Sequence, residues 1–561
     1  MKNLEKLTIP NILKNTLNKY SNKIALSWVD GKPLLYSDIE SKVKYIISLL
    51  RENGIKRGDK VALLSENCPH WGVVYLGVTS MGAVIVPILT GFHENEILHI
   101  LRHSETKALF ISEKLNNRFD IYDCKKLHLK IKVNDFKIIE NKSKTSKLKE
   151  VFNEKKKEFQ KLKFDTLEKA GLIKSKVEED DLAAIVYTSG TTGHSKGVML
   201  SHKNIVYDAI QTLKIQKVTA DDRLISILPL AHTYECTIGF IIPIIRGASV
   251  YYLKKPPTAS VLLPAMTKIR PTMILTVPLI IEKIFKMKIH PTFMKNRVIK
   301  MLYSIRSIQK LLHRLAGKKL LKLFGKKLHF FGIGGALLSP EVEEFLIDAK
   351  IPYSIGYGLT ETSPLIAGSS SHNTRFRSTG FVLPGLKVKI DTDSNNKEGE
   401  ILVKGENVMQ GYFKDPERTK NAFTEDRFFK TGDLGILKND YLYIIGRNKN
   451  VIVGRSGENI YPEEIESILN EHDFVLESLV SANGDKLIAR VFLNYEQIDR
   501  KYYKHNANEK RMKKNINKIL RMLKKDTNSQ LSDFSKINKI IEQTAPFEKT
   551  ATMKIKRYLY T

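Results

Sequence analysis

Short apolar, β-branched runs recur along the chain at Lys60–Leu64, Ala108–Ile111, Leu182–Thr188 and Met273–Val277, with stretches of helical periodicity between them. Strands alternating with helices in this way predict layered α/β structure. From Ser378 to Gly446 the pattern changes. Leu386–Asp391, Glu400–Lys404 and Tyr441–Ile445 are short, alternating or β-branched, and separated by turns, which predicts a small barrel-like unit. A further unit begins after Gly446. It carries YPEEIESIL, with Pro462 in the first helical turn, and ends in basic helical segments such as EKRMKKNINKILRMLKK.

Three stretches qualify that outline. Gly72–Phe92 runs 21 residues without a charge, enough on length alone to span a bilayer. Its glycines and Pro87 argue otherwise: Gly72, Gly77 and Gly82 recur every five residues at close-packing positions, and Val84–Val86 is a β-branched run that Pro87 ends. The stretch is predicted to be a buried helix turning into a buried strand. Lys125–Asp180 shifts to Lys, Glu and Asn with weak periodicity, predicting a basic, solvated helical insertion over about 125–180 with no catalytic role. Lys283–Pro340 contains no acidic residue, while 14 Lys or Arg are interleaved with Ile, Leu, Met and Phe at helical spacing. That is a basic amphipathic stretch, suited either to a solvated face or to peripheral contact with anionic lipid.

Length and charge bound the rest. A chain of 561 residues exceeds one ordinary core, so at least two domains are expected. The net charge of +32 is compatible with nucleic acid, an anionic membrane or a polyanionic substrate, and equally with compositional drift. No RNA-binding pattern of alternating aromatic and basic residues occurs, so nucleic acid is not expected as a partner. Cys68, Cys124 and Cys236 are odd in number, far apart and without a CxxC pair, so neither a disulfide framework nor a zinc site is indicated and a reducing cytoplasm fits best. The N-terminal MKNLEKLTIPNILKNTLNKY has no apolar stretch of the kind a secretory signal needs.

The densest chemistry lies between Tyr187 and Gly197. A buried strand, Leu182–Val186, runs into Thr188, Ser189, Gly190, Thr191, Thr192 and Gly193, followed by Ser195, Lys196 and Gly197. Glycines let backbone amides approach an anion, hydroxyls donate to it and Lys196 supplies charge, so a polyphosphate is the natural ligand. The Walker spacing fails, because Ser195 stands where its second glycine is required and the next helix starts only near Ser201.

The loop YTSGTTGHSKG resembles the phosphate-binding motif of the acyl-adenylate-forming (AMP-binding) superfamily, which holds acyl-CoA synthetases, peptide-synthetase adenylation domains and luciferases. Further motifs follow in the family's order: LPLAHTYE at Leu228–Glu235, FGIGGALLSPE at Phe331–Glu341, YGLTET at Tyr357–Thr362, TGD at Thr431–Asp433, GRNKNVIVGRSGENIYPEEIE at Gly446–Glu466 and EKTATMKIKR at Glu548–Arg557. The resemblance spans nearly the whole chain from about Tyr36. It implies an α/β fold with a large N-terminal domain, 1–448, of two layered α/β subdomains plus the barrel-like unit, then a small mobile α+β domain, 449–561, carrying a catalytic lysine.

The activity it implies is ATP-dependent activation of a fatty acid to acyl-AMP and pyrophosphate, then thioesterification with coenzyme A. Thr188, Ser189, Gly190, Thr191, Thr192 and Lys196 then hold phosphates, and Gly334, Gly335 and Ala336 offer a nearly bare strand end for adenine, with Tyr357 to stack on it. Glu361 suits Mg2+, and Thr360 the α-phosphate or substrate carboxylate. Asp433 suits both ribose hydroxyls, and Arg447 ribose or phosphate. Lys554 offsets the charge built up when a carboxylate attacks the α-phosphate. His232 lies by the acyl and thiol path as a substrate gate, Lys449 matches the hinge, and Gly457 lines the passage for the pantetheine arm.

Two departures stand out: Ser195 replaces the usual proline and Met553 the glycine usual before the catalytic lysine. Neither removes a reacting group, so they bear on turnover. The insertion before the loop and the basic stretch before FGIGG are similar to those of bacterial long-chain fatty-acyl-CoA synthetases. No tryptophan stands near Cys236, where some long-chain relatives carry a gating one, since Trp28 and Trp71 lie upstream. An acyl-acyl-carrier-protein ligase, a medium-chain or aryl acyl-CoA ligase, and a basic membrane- or nucleic-acid-binding protein are the competing expectations.

Overall fold

Leu182–Thr188 forms the strand its unbroken apolar run predicts, and it lies inside an eight-stranded sheet. The computed structural model describes residues 6–118, 124–142, 177–188, 195–294, 296–392, 397–453, 458–484, 486–502, 509–550 and 554–560. In this first sheet Val84–Ile88, Lys60–Leu64, Ala108–Ile111 and Leu129–Lys132 run parallel, while Lys196–Ser201 returns antiparallel beside Leu182–Thr188 and carries Gly411–Tyr412 on its outer edge. Every side chain of Val84–Ile88 and Ala108–Ile111 is buried, which is why these strands read as continuous apolar runs instead of alternating ones.

A second sheet has 13 strands among the described residues. One half is the parallel set Ile24–Trp28, Ser249–Tyr252, Arg223–Ser226, Met273–Thr276, Phe330–Gly334 and Tyr353–Gly358. The other half is antiparallel: Leu365–Gly368, Phe381–Val382, Tyr441–Arg447, Phe429–Lys438, Gly399–Lys404 and Lys387–Asp391. These last strands hold the predicted barrel-like region, with a small core of Tyr357, Ile366, Ala367, Ile401, Val403 and Leu442. They continue the large sheet through hydrogen bonds. The two sheets and the helices between them make the layered α/β body.

Gly72–Phe92 folds as the helix Pro69–Ser80 followed by Val84–Ile88. A Cβ at Gly72 would lie 2.6 Å from the Phe240 ring and one at Gly77 2.7 Å from Ile46, so both glycines permit close packing. Among the described residues no helix is long and apolar enough to cross a membrane.

The predicted helical insertion over 125–180 needs correction at its start. Leu129–Lys132 and Ile138–Asn141 form an antiparallel pair at the end of the first sheet. Leu129, Ile131 and Val133 are buried there, and the Lys130 ammonium is held by Glu140 at 3.0 Å and by the Asn116 carbonyl at 3.1 Å. Period-two burial of these apolar residues outweighs the basic composition of the window. Positions 143–176 of that prediction lie outside the described residues. The basic stretch after Lys283 is helical as expected, including His290–Met294, Arg297–Tyr303 and Arg306–Leu323.

After Gly446 the chain forms the helix Pro462–Glu471, with Pro462 in its first turn, the strands Val475–Asn483, Lys486–Leu493 and Lys539–Gln543, and the helix Glu509–Asn528. Their buried core, Ile460 through Ile540, draws on no residue of the body. Contacts do tie the two parts: His290 Nδ1 lies 3.2 Å from Asp473 Oδ1, and the Tyr461 hydroxyl donates to Glu398 Oε2 at 3.2 Å.

Where Tyr353–Gly358 ends, the chain turns back within a single residue's width. A Cβ on Gly358 would stand 1.9 Å from the Pro364 carbonyl oxygen. Gly358→Ala therefore forces the Thr360–Pro364 turn outward, and thermal unfolding is expected to show a loss of about 1–3 kcal/mol. Unchanged stability would show that the turn yields freely.

Candidate active site

Phe330–Gly334 and Tyr353–Gly358 are parallel neighbours, and the carboxyl ends of such strands are where open α/β sheets bind ligands. Beyond the first strand the backbone at Gly335 has φ +89, a left-handed conformation, and Gly335 and Ala336 are exposed. A Cβ on Gly334 would sit 3.2 Å from the ring of Tyr234, so the strand end is bare because a neighbouring aromatic already fills the space beside it. Beyond the second strand, Thr360 and Glu361 form a short buried turn.

A buried polar network fixes that turn. Asp208 accepts from the Leu365 N–H at 3.0 Å and from Asn407 Nδ2 at 3.1 Å, while Asn407 Nδ2 also faces the carbonyls of Thr362 at 2.8 Å and Leu365 at 2.9 Å. Burial pushes the Asp208 carboxyl well above the ordinary carboxylate range. The Glu361 carbonyl accepts from the Met409 N–H at 2.8 Å.

Glu361 is met from across the cleft by Lys196. The Lys196 ammonium donates to Glu361 Oε1 at 2.7 Å and to the Tyr412 hydroxyl at 2.8 Å, and that hydroxyl donates to the same Oε1 at 3.0 Å. The ammonium also stands 4.4 Å from the Tyr412 ring centroid. Burial opposes charge on Glu361, but Lys196 prevails and holds its carboxyl below the usual range. Thr188 Oγ1 and Ser195 Oγ, at either end of the loop, are buried without a partner among the described residues.

A second cluster borders the bare strand end. Tyr357 donates its hydroxyl to Asp433 Oδ2 at 2.9 Å, and Arg447 Nε lies 3.0 Å from Asp433 Oδ1. Asp433 and Arg447 face each other across paired antiparallel strands. Burial raises the Asp433 carboxyl against the lowering pull of Arg447.

Lys554 enters from the C-terminal part. Its backbone is anchored by Thr550, whose N–H donates to the Lys554 carbonyl at 2.7 Å and whose Oγ1 accepts from the Lys554 N–H at 3.2 Å. The side chain as a whole retains solvent contact, yet protein atoms crowding the ammonium, together with Arg447, lower its pKa from the ordinary 10.5 to about 8, against the raising pull of Asp433 and Glu361. Lys554 thus connects the two clusters electrostatically. His232 is lowered to about 4, first by burial and then by the Lys554 charge. Its Nδ1 accepts from the Tyr234 N–H at 3.2 Å, so the neutral ring carries its proton on Nε2 and acts there as a donor.

Of the residues anticipated from sequence, Thr188, Lys196, His232, Gly334, Gly335, Ala336, Tyr357, Thr360, Glu361, Asp433, Arg447 and Lys554 all belong to these clusters or their rim. Lys449 is exposed in the short turn Asn448–Asn450 that leads out of the last strand of the body. Ser189, Gly190, Thr191, Thr192 and Gly457 lie outside the described residues.

A family model described as AMP-binding enzyme matches residues 13–413. The chain belongs to the AMP-binding enzyme family. It is 27% identical to a chloroplastic long-chain-fatty-acid–acyl-carrier-protein ligase of Arabidopsis thaliana, over 88% of this chain and 77% of that protein. It is 26% identical to the long chain acyl-CoA synthetase 1 of the same plant, over 97% of this chain and 90% of the relative. Among solved structures, an o-succinylbenzoate coenzyme A synthetase from Bacillus subtilis, in complex with ATP and magnesium ion, superposes with a TM-score of 0.72 at 22% identity, covering 98% of each chain. As an AMP-binding enzyme the protein falls within the acid–thiol ligase superfamily. Asp433, Arg447 and Lys554 lie beyond the matched residues, so their place beside Glu361 comes from the fold.

Three residues of this AMP-binding enzyme's site escape sequence reading. Tyr412 lies in a short segment, MQGYFKDPE, that has no periodic signal, and it reaches Lys196 only because Gly411–Tyr412 pairs with the strand that begins at Lys196. Asp208 and Asn407 are invisible for the same reason, since each supports Glu361 from a distant part of the chain.

Proposed function

We propose that this enzyme activates a long-chain fatty acid with ATP and passes the acyl group to the thiol of coenzyme A. One observation carries the reading: in a chain matched by the AMP-binding enzyme model, Lys196 donates to Glu361 at 2.7 Å and Tyr357 and Arg447 hold Asp433 at 2.9 and 3.0 Å, and the charges of Arg447, Asp433 and Glu361 act on Lys554 of the C-terminal part.

In the first step a substrate carboxylate oxygen attacks the α-phosphorus of ATP, the bond to the bridging oxygen breaks, and pyrophosphate leaves. Lys196 and the hydroxyls at the ends of the phosphate loop hold the polyphosphate, and Lys554 offsets the negative charge that grows on the α-phosphate oxygens. Asp433 and Arg447 hold the ribose, while Tyr357 and the Gly334–Ala336 strand end sandwich the base. Lys196 then exchanges Glu361 for phosphate. Among the described residues no group of three or more His, Cys, Asp and Glu forms a ready metal cage. Magnesium does not require one, since it keeps several waters and takes one or two carboxylates together with phosphate oxygens. Glu361 fits as that carboxylate, and the ion, when bound, contributes charge neutralisation at the phosphates.

In the second step the thiol attacks the acyl carbon and AMP leaves, with the unit after Lys449 turning to present the passage that includes Gly457. His232, neutral at physiological pH, donates from Nε2 beside the acyl path without competing for the adenylate as a base. The buried thiols of Cys68 and Cys236 agree with a cytoplasmic setting. Transfer to acyl-carrier protein is the second reading, favoured by the Arabidopsis thaliana relative of that name.

Pyrophosphate release against a panel of carboxylates, with coenzyme A, acyl-carrier protein or neither, separates these readings. The expected result is release with long-chain acids, and thioester formation only with coenzyme A. Release confined to aryl or short acids removes the long-chain assignment, and thioester on carrier protein alone removes coenzyme A.

A further inference from the structure

We infer that the outward face of the helices Arg297–Tyr303 and Arg306–Leu323 docks on an anionic lipid bilayer, a role independent of which acid the cleft accepts. The helix Arg306–Leu323 buries His313, Gly317 and Leu320 against the body. A Cβ on Gly317 would stand 2.5 Å from the Ala349 carbonyl oxygen, so the contact is close. At roughly 100° per residue, Leu311 and Leu315 point to the opposite side, and they are 55% and 50% exposed. Arg314, Lys318, Lys319 and Lys322 surround them, all exposed. The preceding helix and its turn expose Val298, Met301 and Ile305, with Met301 at 66%.

This concentration is unusual for the molecule. Of the 19 large hydrophobic side chains left exposed among the described residues, seven lie between Met287 and Leu323. They are not the loose inner side of a poorly seated hairpin. The His313 ring bridges the Tyr303 hydroxyl at 2.7 Å and Asp348 Oδ2 at 2.9 Å, while Arg306 grips both oxygens of Asp348 at 2.7 and 3.2 Å. Phe293 stacks on Tyr303 with centroids 5.0 Å apart. The helices are therefore fixed on the body with these aliphatic residues outward.

Charge selects the occupant. From Lys283 to Pro340 there is no carboxylate, so nothing on this stretch repels a uniformly anionic surface. Aliphatic side chains rimmed by Lys and Arg match a headgroup boundary: the apolar tips enter the acyl edge while the basic heads stay at the phosphates. An acidic protein partner would satisfy the charges, but it would call for a groove or aromatic anchors. A cavity of about 530 Å3 among the described residues lies elsewhere, lined by Met199, Tyr412, Lys420 and Arg427 among others.

The test is co-sedimentation of the full chain with vesicles of phosphatidylcholine alone or mixed with phosphatidylglycerol. Binding is expected only to the mixed vesicles and is expected to weaken with salt. Two variants, Leu311→Glu/Leu315→Glu and Lys318→Glu/Lys322→Glu, each lower it by at least about ten-fold, with melting and ATP–pyrophosphate exchange on a water-soluble acid unchanged. The inference is overturned if neither vesicle binds, or if both variants bind like the parent protein. It is equally overturned if the face instead captures acyl-carrier protein, or if its only effect is a self-association that the Leu311 and Leu315 changes abolish.

Discussion

Lys554→Ala is expected to reduce carboxylate-dependent pyrophosphate release by about 10²–10³-fold, the scale on which loss of one preorganised charge-stabilising donor acts. Lys554 is exposed as a whole residue, and its ammonium feels the charges of Arg447, Asp433 and Glu361, so truncation removes the charge without opening a cavity. Folding should be unaffected.

A pH profile tests the same group by another route. The acting form is the ammonium, and its pKa of about 8 lies below the ordinary lysine value. The first half-reaction is therefore expected to keep its rate below that pH and to lose it as pH rises through about 8. Lys554→Arg keeps a proton throughout this range, so its alkaline limb should move upward even where its rate is lower. An identical limb in parent and arginine variant would assign the titration to another group.

Glu361→Gln should be comparably severe and should reveal a second effect. The side chain keeps its shape and an acceptor for Tyr412, but Lys196 loses its counter-charge in a site where Glu361 is 9% and Lys196 25% exposed. Adenylation is expected to fall about 10²–10³-fold. Stability should fall by about 1–3 kcal/mol, less than for a fully buried pair because Lys196 retains some water. Adding Lys196→Met should restore stability while leaving activity absent, since an apolar replacement removes the stranded charge but not the need for it at the phosphates. Full activity in the single variant would remove Glu361 from the chemistry. Unaltered melting would mean that the ion pair contributes nothing to folding.

The strands of the body were legible because they are buried on both faces, which leaves short unbroken apolar runs such as Val84–Ile88 and Ala108–Ile111. The pair at Leu129–Asn141 was not, because its apolar alternation is embedded in a window dominated by Lys and Asn. The buried Lys130 shows why composition misleads there: contacts that include the Glu140 carboxylate and the Asn116 carbonyl take a lysine inside.

At the site, residue types were readable but pairings were not. Lys196 and Glu361 each stand in a recognisable motif, yet nothing local says that they bind each other. Tyr412, 216 positions from Lys196, joins them only through a strand register that emerges when the sheet is assembled. Lys554, one lysine among many, was identifiable only through the resemblance of its surrounding motif.

The terminal core that carries Lys554 contains no residue from the body, and the contacts holding the two together include the His290–Asp473 and Tyr461–Glu398 pairs. On the proposed turning of the terminal unit, the ammonium's presence in the cleft is an occupancy. Substitutions at His290 or Tyr461, which touch no part of the nucleotide site, should change apparent turnover in proportion to the docked fraction while leaving nucleotide affinity to the body's own residues.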